Sequence, residues 1–149
     1  MLVSILRSIG ALVAGLVLAA VLVFALEVVT LALHPFPPGV DPNDFEVCKA
    51  HVAKFPEWVL ALGTAAWATT ALASSALATR LGAGRHPAHG YLIGVLLWAM
   101  VALNVSMLPY PAWFKVANIL LIPLAAWFGV KFGRGAGPKP RPVVADASA

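Results

Sequence analysis

IGALVAGLVLAAVLVFALEVVTLALHPFPPGVDP, residues 9–42, decides the fold. From Ile9 to Leu33 the run is apolar except for Glu27 and Thr30, and it then breaks on a histidine and three prolines. Crossing the hydrocarbon core of a bilayer takes about 20 consecutive apolar residues, so this stretch reads as a membrane span. A secretory signal has an apolar core of only about 7–15 residues, and we read the run as retained, with VLAA at its middle as helix rather than a cleavage site. Proline lacks an N–H and disfavours helical geometry in the residue before it, so His34-Pro35-Phe36-Pro37-Pro38-Gly39 ends the helix.

The rest of the chain repeats the pattern. Of its 149 residues, 61% are hydrophobic and 11% charged, against roughly 25% charged in a soluble domain. A soluble globular protein is excluded. Three further spans are expected, at about 56–79, 89–108 and 112–131. GAGRHP at 82–87 separates the second from the third, and LPYPAW at 108–113 is too short for anything but an antiparallel turn. The expected fold is all-α, an integral membrane four-helix bundle over residues 1–133, followed by a disordered basic tail, 134–149, rich in Gly, Pro and Ala.

Direction follows from the cations. With the N-terminus inside, Arg7, Arg80, Arg85, Lys131, Arg134, Lys139 and Arg141 fall on the inner side, and Lys49, Lys54 and Lys115 on the outer. Basic residues gather on the cytoplasmic side of membrane proteins, which gives N-in and C-in. The net charge of +4 is therefore topological, and no basic face interleaved with aromatics suggests nucleic-acid binding. The outer loop VDPNDFEVCKAHVAKF contains Asp41 as an N-cap with Pro42 at the first helical position, and Phe45, Cys48, Val52 and Phe55 at helical spacing. That predicts a short amphipathic helix, lying on the outer membrane surface or packed on the end of the bundle. Pro56, Glu57 and Trp58 then open the second span, with the carboxylate near the positive end of the helix dipole.

Polar residues inside the spans gather at one depth. At ~1.5 Å per residue, Glu27, Thr64, Asn104 and Asn118, one from each span, fall in a slab roughly 6–12 Å beneath the outer surface. Glu27, Thr30 and His34 share one face of the first helix, as Lys115 and Asn118 do on the fourth. A carboxylate in lipid normally faces the bundle interior, a partner or water. Lys115, His34, Asn104 and Asn118 are the candidate partners. The layer Glu27, Thr30, His34, Thr64, Asn104, Lys115 and Asn118 thus reads as interhelical glue, as a ligand or proton site open to the outer side, or as a contact with a partner protein. Pro123 would displace the carbonyl of Ile119 and leave an acceptor beside this layer. Small residues every fourth position, Ala11, Gly15 and Ala19, then Ala61, Ala65, Thr69 and Ala73, and the pair Gly90 and Gly94, suggest faces of close helix approach.

Catalytic patterns are missing. No Gly-rich phosphate loop and no nucleophile paired with a base appears, so no catalytic residue is assigned and Ser74 and Ser75 read as packing. His34, His51, His86 and His89 all fall at or outside span boundaries, where a buried haem has no pair of facing ligands. His86 and His89 have no nearby acid and make a poor metal site, and Cys48 is the single cysteine. No cofactor or metal is expected.

Glu27 near the end of the first span, HPFPPGVDP at 34–42 and the Pro-x-Trp-Phe turn at 111–114 resemble a group of small, uncharacterised four-helix inner-membrane proteins of bacteria. The resemblance covers most of residues 1–133. It implies the fold and a multi-pass location in the bacterial cytoplasmic (inner) membrane, and it implies no known activity. A histidine often stands in that group where this chain has Tyr110, which weakens any metal reading at the turn. The expectation for function is a non-catalytic accessory subunit or assembly factor of a larger membrane complex, in contact with lipid and with other membrane subunits or further copies of itself. The alternative is a small transporter, channel or membrane enzyme with a polar site around Glu27.

Overall fold

The computed structural model describes residues 1–135, and all its regular elements are helices. They are α1, Leu2–Leu33, α2, Phe45–Val52, α3, Glu57–Leu81, α4, Ala88–Met107, and α5, Ala112–Arg134, with a short 3-10 turn, Ala83–Arg85, between α3 and α4. α1, α3, α4 and α5 are long and apolar enough to cross a membrane. The expected tail lies, from residue 136 on, outside the described residues.

Each helix stops where its sequence supplies a reason. α1 ends at Leu33, two residues before Pro35, with the His34 N–H still bonded to the Thr30 carbonyl at 2.8 Å. Gly39 takes φ +83°, a left-handed turn that glycine adopts without a Cβ clash. α1 begins at Leu2 rather than near Ile9, because the helix runs on past the apolar stretch and carries Arg7 to α3. There the Arg7 Nε–H donates to the Leu81 carbonyl at 2.9 Å, satisfying one acceptor that the end of α3 leaves open. α2 is capped by Asp44, not by Asp41 as its proline suggested. The Asp44 carboxylate accepts from Glu46 N at 2.8 Å and Val47 N at 3.4 Å, whereas Asp41 accepts from Asn43 N at 2.9 Å and only shapes the preceding turn.

Cross-helix pairs set the directions. Arg7 meets Leu81 and Gly15 meets Ala78, so α1 and α3 are antiparallel. Gly90 lies at Thr79 and Gly94 at Ala126, so α4 runs against both α3 and α5. α3 and α5 are therefore parallel, with Thr64 at Asn118, Leu72 at Gly129 and Ala76 at Gly133. α3 packs against all three other long helices.

The tight interfaces are glycine interfaces. A Cβ on Gly129 or Gly133 would collide with the Leu72 and Ala76 carbonyls of α3, and one on Gly90 or Gly94 would collide with Thr79 or Ala126. Gly129 and Gly133 form a GxxxG pair that brings α5 onto the backbone of α3. α1 is held in the same way by Ala11, Gly15 and Ala19, the three residues it buries. On α3, however, Ala61, Ala65 and Thr69 are exposed, and the packed face is Leu60, Thr64, Ala71, Ser74, Ser75, Ala78 and Thr79. Alanine is common all round this helix, so spacing alone did not select the face that its neighbours use. Near α2, Leu60, Val105 and Phe114 form an apolar cluster bordered by Trp67, Tyr110 and Ile119.

Pro123 has the predicted effect, with a partner supplied by α4. The indole N–H of Trp98 donates to the Ile119 carbonyl at 3.1 Å, the acceptor that the proline leaves without a helical donor. Trp98→Phe is expected to destabilise the bundle by about 1 kcal/mol, and in a Pro123→Ala background, where residue 123 regains an N–H, the same change should cost much less. A double-mutant cycle in a denaturant titration of the detergent-solubilised protein reads this coupling directly. Gly129→Val should cost about 1–3 kcal/mol in the same titration through overpacking, while Gly10→Ala, which has open space around it, should be neutral or slightly stabilising.

Candidate functional site

The polar residues expected to form one layer occupy four places. Thr64 and Asn118 meet in the α3–α5 interface, where the Asn118 amide donates to Thr64 Oγ1 at 3.1 Å and to the Phe114 carbonyl at 2.8 Å. Asn118 is completely buried, and its Oδ1 has no hydrogen-bond partner. The remaining hydroxyls of α3 mostly bond to their own helix: Thr70 donates to the Ala66 carbonyl at 2.9 Å and Thr79 to that of Ser75 at 2.8 Å. Ser74 and Ser75 are fully buried without a partner. Their small size admits α4, as the approach of Gly94 to Ser75 shows.

Glu27 belongs to a different place. Past Ala19 no residue of α1 is fully buried, and the space between α1 and its neighbours opens into cavities. One, of about 150 Å³, is lined by Glu27 of α1, Trp67 and Thr70 of α3, and Met100, Val101 and Asn104 of α4, among others. A second, of about 70 Å³, lies nearer α2 and is lined by Glu27 and Thr30, by Trp67, and by Tyr110 and Phe114. Glu27 and Trp67 border both. The Asn104 Oδ1 is buried and unpartnered, and the larger cavity, which Asn104 lines, combines a carboxylate with mostly apolar walls.

Lys115 is not Glu27's counter-ion. The one ion pair among the described residues joins Lys49 to Glu46 at 3.1 Å within α2, and Lys115 hydrogen-bonds through its backbone N–H, to the Pro111 carbonyl at 3.3 Å. It stands in the first turn of α5, three residues before Asn118, whose side chain turns into the bundle while the lysine is half-buried.

His34 sits in an aromatic cluster that ties α2 to the end of α1. Its ring stacks on His51 with centroids 4.6 Å apart, Phe36 stacks on the same imidazole at 4.0 Å, and Phe55 meets both histidines edge-on. His51 Nε2 lies 3.1 Å from the His34 carbonyl. Burial pulls the His51 pKa below the ordinary 6.5. The His34 carbonyl opposes that shift, while the charges of His34 and Lys54 add to it. Tyr110, at the turn between α4 and α5, packs on Phe114 with ring centroids 4.5 Å apart and the planes tilted by 33°. Burial raises its phenol pKa, and Cys48 and Glu27 raise it further.

Several of these residues escaped the sequence. Nothing in the spacing of Trp67 or Tyr110 marked them as cavity walls. His51 carried no signal, since its role depends on the loop returning to His34. No group of three or more His, Cys, Asp or Glu side chains is placed to hold a metal ion among the described residues. No family model, curated protein or solved structure matches the chain.

The histidine cluster predicts a pH effect whose sign is fixed. The packed His51 ring holds its proton less tightly than a free imidazole, so the docked state binds fewer protons than the undocked one. Stability from docking is complete above 6.5 and is lost as the pH falls below that value. Hydrogen exchange over 45–55, corrected for intrinsic rates, should accelerate between pH 7.5 and 5.5, and His51→Phe should remove that acceleration.

Proposed function

We propose that this chain is a non-catalytic integral membrane protein, an accessory subunit or assembly factor of a larger complex in the bacterial cytoplasmic membrane. In this reading both ends of the helical domain face the cytoplasm. α2 lies on the outer side with Lys49 and Lys54, while Arg7, Arg80, Arg85, Lys131 and Arg134 border the inner one.

The observation that carries it is the free small-residue edge of α3. Ala61, Ala65 and Thr69 are exposed at every fourth position. Ala65 and Thr69 border a groove of about 410 Å³ whose walls include Leu22 and Ala25 of α1, with Ala66 beside them on the α3 side. The Thr69 hydroxyl is bonded to the Ala65 carbonyl at 2.8 Å, so the edge offers a smooth surface without a polar group left to satisfy. In lipid, where hydrophobic burial no longer drives association, such an edge favours a close-approaching helix over acyl chains. The within-chain interfaces use the same device at Gly15 and Gly129. The alternative, a transport or catalytic site around Glu27, draws its support from the cleft between α1, α3 and α4.

Affinity purification of the tagged protein from its native membranes in mild detergent, with mass spectrometry of what stays bound, tests the subunit reading. A stoichiometric partner is expected, and Ala65→Leu, which fills the groove without touching the packed face of α3, should release it while leaving the melting temperature unchanged. A monodisperse particle free of other proteins would sink the reading.

A further inference from the structure

The cavity bordered by Glu27 has a chemistry that selects its occupant. Its one charged group is a carboxylate, and no Lys, Arg or His lines it. The Asn104 Oδ1 is a buried acceptor without a donor. Thr70 lines the cavity too, and its hydroxyl proton is already engaged by the Ala66 carbonyl, so on the cavity side its oxygen is an acceptor as well. The remaining wall is apolar and polarisable, with Trp67 on one helix and Leu97, Met100 and Val101 on another. A carboxylate at this depth is costly when unpaired, and the chain supplies no cation for it among the described residues.

We propose that the cleft between α1, α3 and α4 binds a small hydrophobic organic ammonium ion. Its positive charge pairs with Glu27, an N–H donates to Asn104 Oδ1, and its apolar body lies among Trp67, Leu97 and Met100. Two features narrow the class. A volume of about 150 Å³ suits one aromatic ring on a short arm rather than a two-chain lipid. Acceptors on three different helices, Glu27, Thr70 and Asn104, favour a primary or secondary ammonium, which carries N–H groups, over a quaternary one. Trp67 adds an aromatic wall of the kind that stabilises a neighbouring cation. The second cavity, on the Thr30 and Tyr110 side of Glu27, gives the ligand an approach from the α2 end. The proposal rests on the cleft as a site and is independent of the free edge of α3.

The test is equilibrium binding of radiolabelled phenethylammonium to the purified full-length chain in detergent, with 2-phenylethanol as the uncharged counterpart of the same shape. Saturable binding near one ligand per chain is expected. Glu27→Gln should weaken it by about tenfold or more, as loss of a charge pair at this depth implies, and Asn104→Leu should weaken it severalfold. 2-Phenylethanol should compete poorly with the ammonium on the wild type. Equal affinity in wild type and Glu27→Gln overturns the proposal, as does a wild type that binds nothing saturably. Should Glu27→Gln fail to fold, the Trp67 indole N–H resonance of the wild type decides. A saturable shift with phenethylammonium that 2-phenylethanol does not reproduce supports the site, and identical shifts with both, or none, overturn it. A partner protein recovered from native membranes by a chain that binds no ammonium sinks this proposal and leaves the subunit reading standing.

Discussion

Backbone-to-backbone approach across glycine is the constraint on which the rest of the bundle depends. Lipid is as apolar as leucine, so helices in a bilayer gain little by burying large side chains against one another and much by fitting closely. Gly129 and Gly133 set α5 onto the carbonyls of Leu72 and Ala76, and Gly90 and Gly94 set α4 against Thr79 and Ala126. α3, whose neighbours all come close, carries Ala71, Ser74, Ser75, Ala78 and Thr79 on its packed face. Serines are affordable there because nothing larger fits.

α1 shows what happens where that device stops. Ala11, Gly15 and Ala19 hold its first half tightly, and beyond Ala19 large residues separate it from α3 and α4. The cavities beside Glu27 follow from that separation, since side chains as bulky as Val23, Leu26 and Trp67 cannot interdigitate as closely as alanine and glycine. The carboxylate occupies the widened half of the seam. The same chain therefore holds a close-packed half and an open half, and its one acid far from a helix end on the four long helices belongs to the open one.

Several polar groups elsewhere are satisfied locally. Asn118 spends its amide protons on Thr64 and Phe114, the threonines of α3 bond to their own helix, and the carbonyl freed by Pro123 is taken by Trp98. Asn118 Oδ1 and the Ser74 and Ser75 hydroxyls stay without partners inside the close-packed interfaces, whereas the unpartnered Asn104 and the unpaired Glu27 both line a cavity.

Much of the architecture was legible in the residues themselves. Run length and hydrophobicity mark four membrane-length helices, and the prolines and glycines between them mark where each ends, because these depend on local backbone chemistry and on partition between water and lipid. The freed carbonyl at Ile119 was legible too, since proline acts on its own helix. Depth along a helix could also be counted, which is why Glu27, Asn104, Thr64 and Asn118 were expected near one level. Only the tertiary structure decided which of them meet. Azimuth around a helix is set by its neighbours, and with alanine on every side of α3 the sequence contained no bias to choose between the Ala61–Ala65–Thr69 edge and the Ser74–Ala78 face. Thr64 was thereby paired with Asn118, Lys115 was left without an ion pair to Glu27, His51 was brought under His34 by a returning loop, and Glu27 was left with Asn104 across a cleft. Local chemistry determines the helices, and packing between distant segments determines the site.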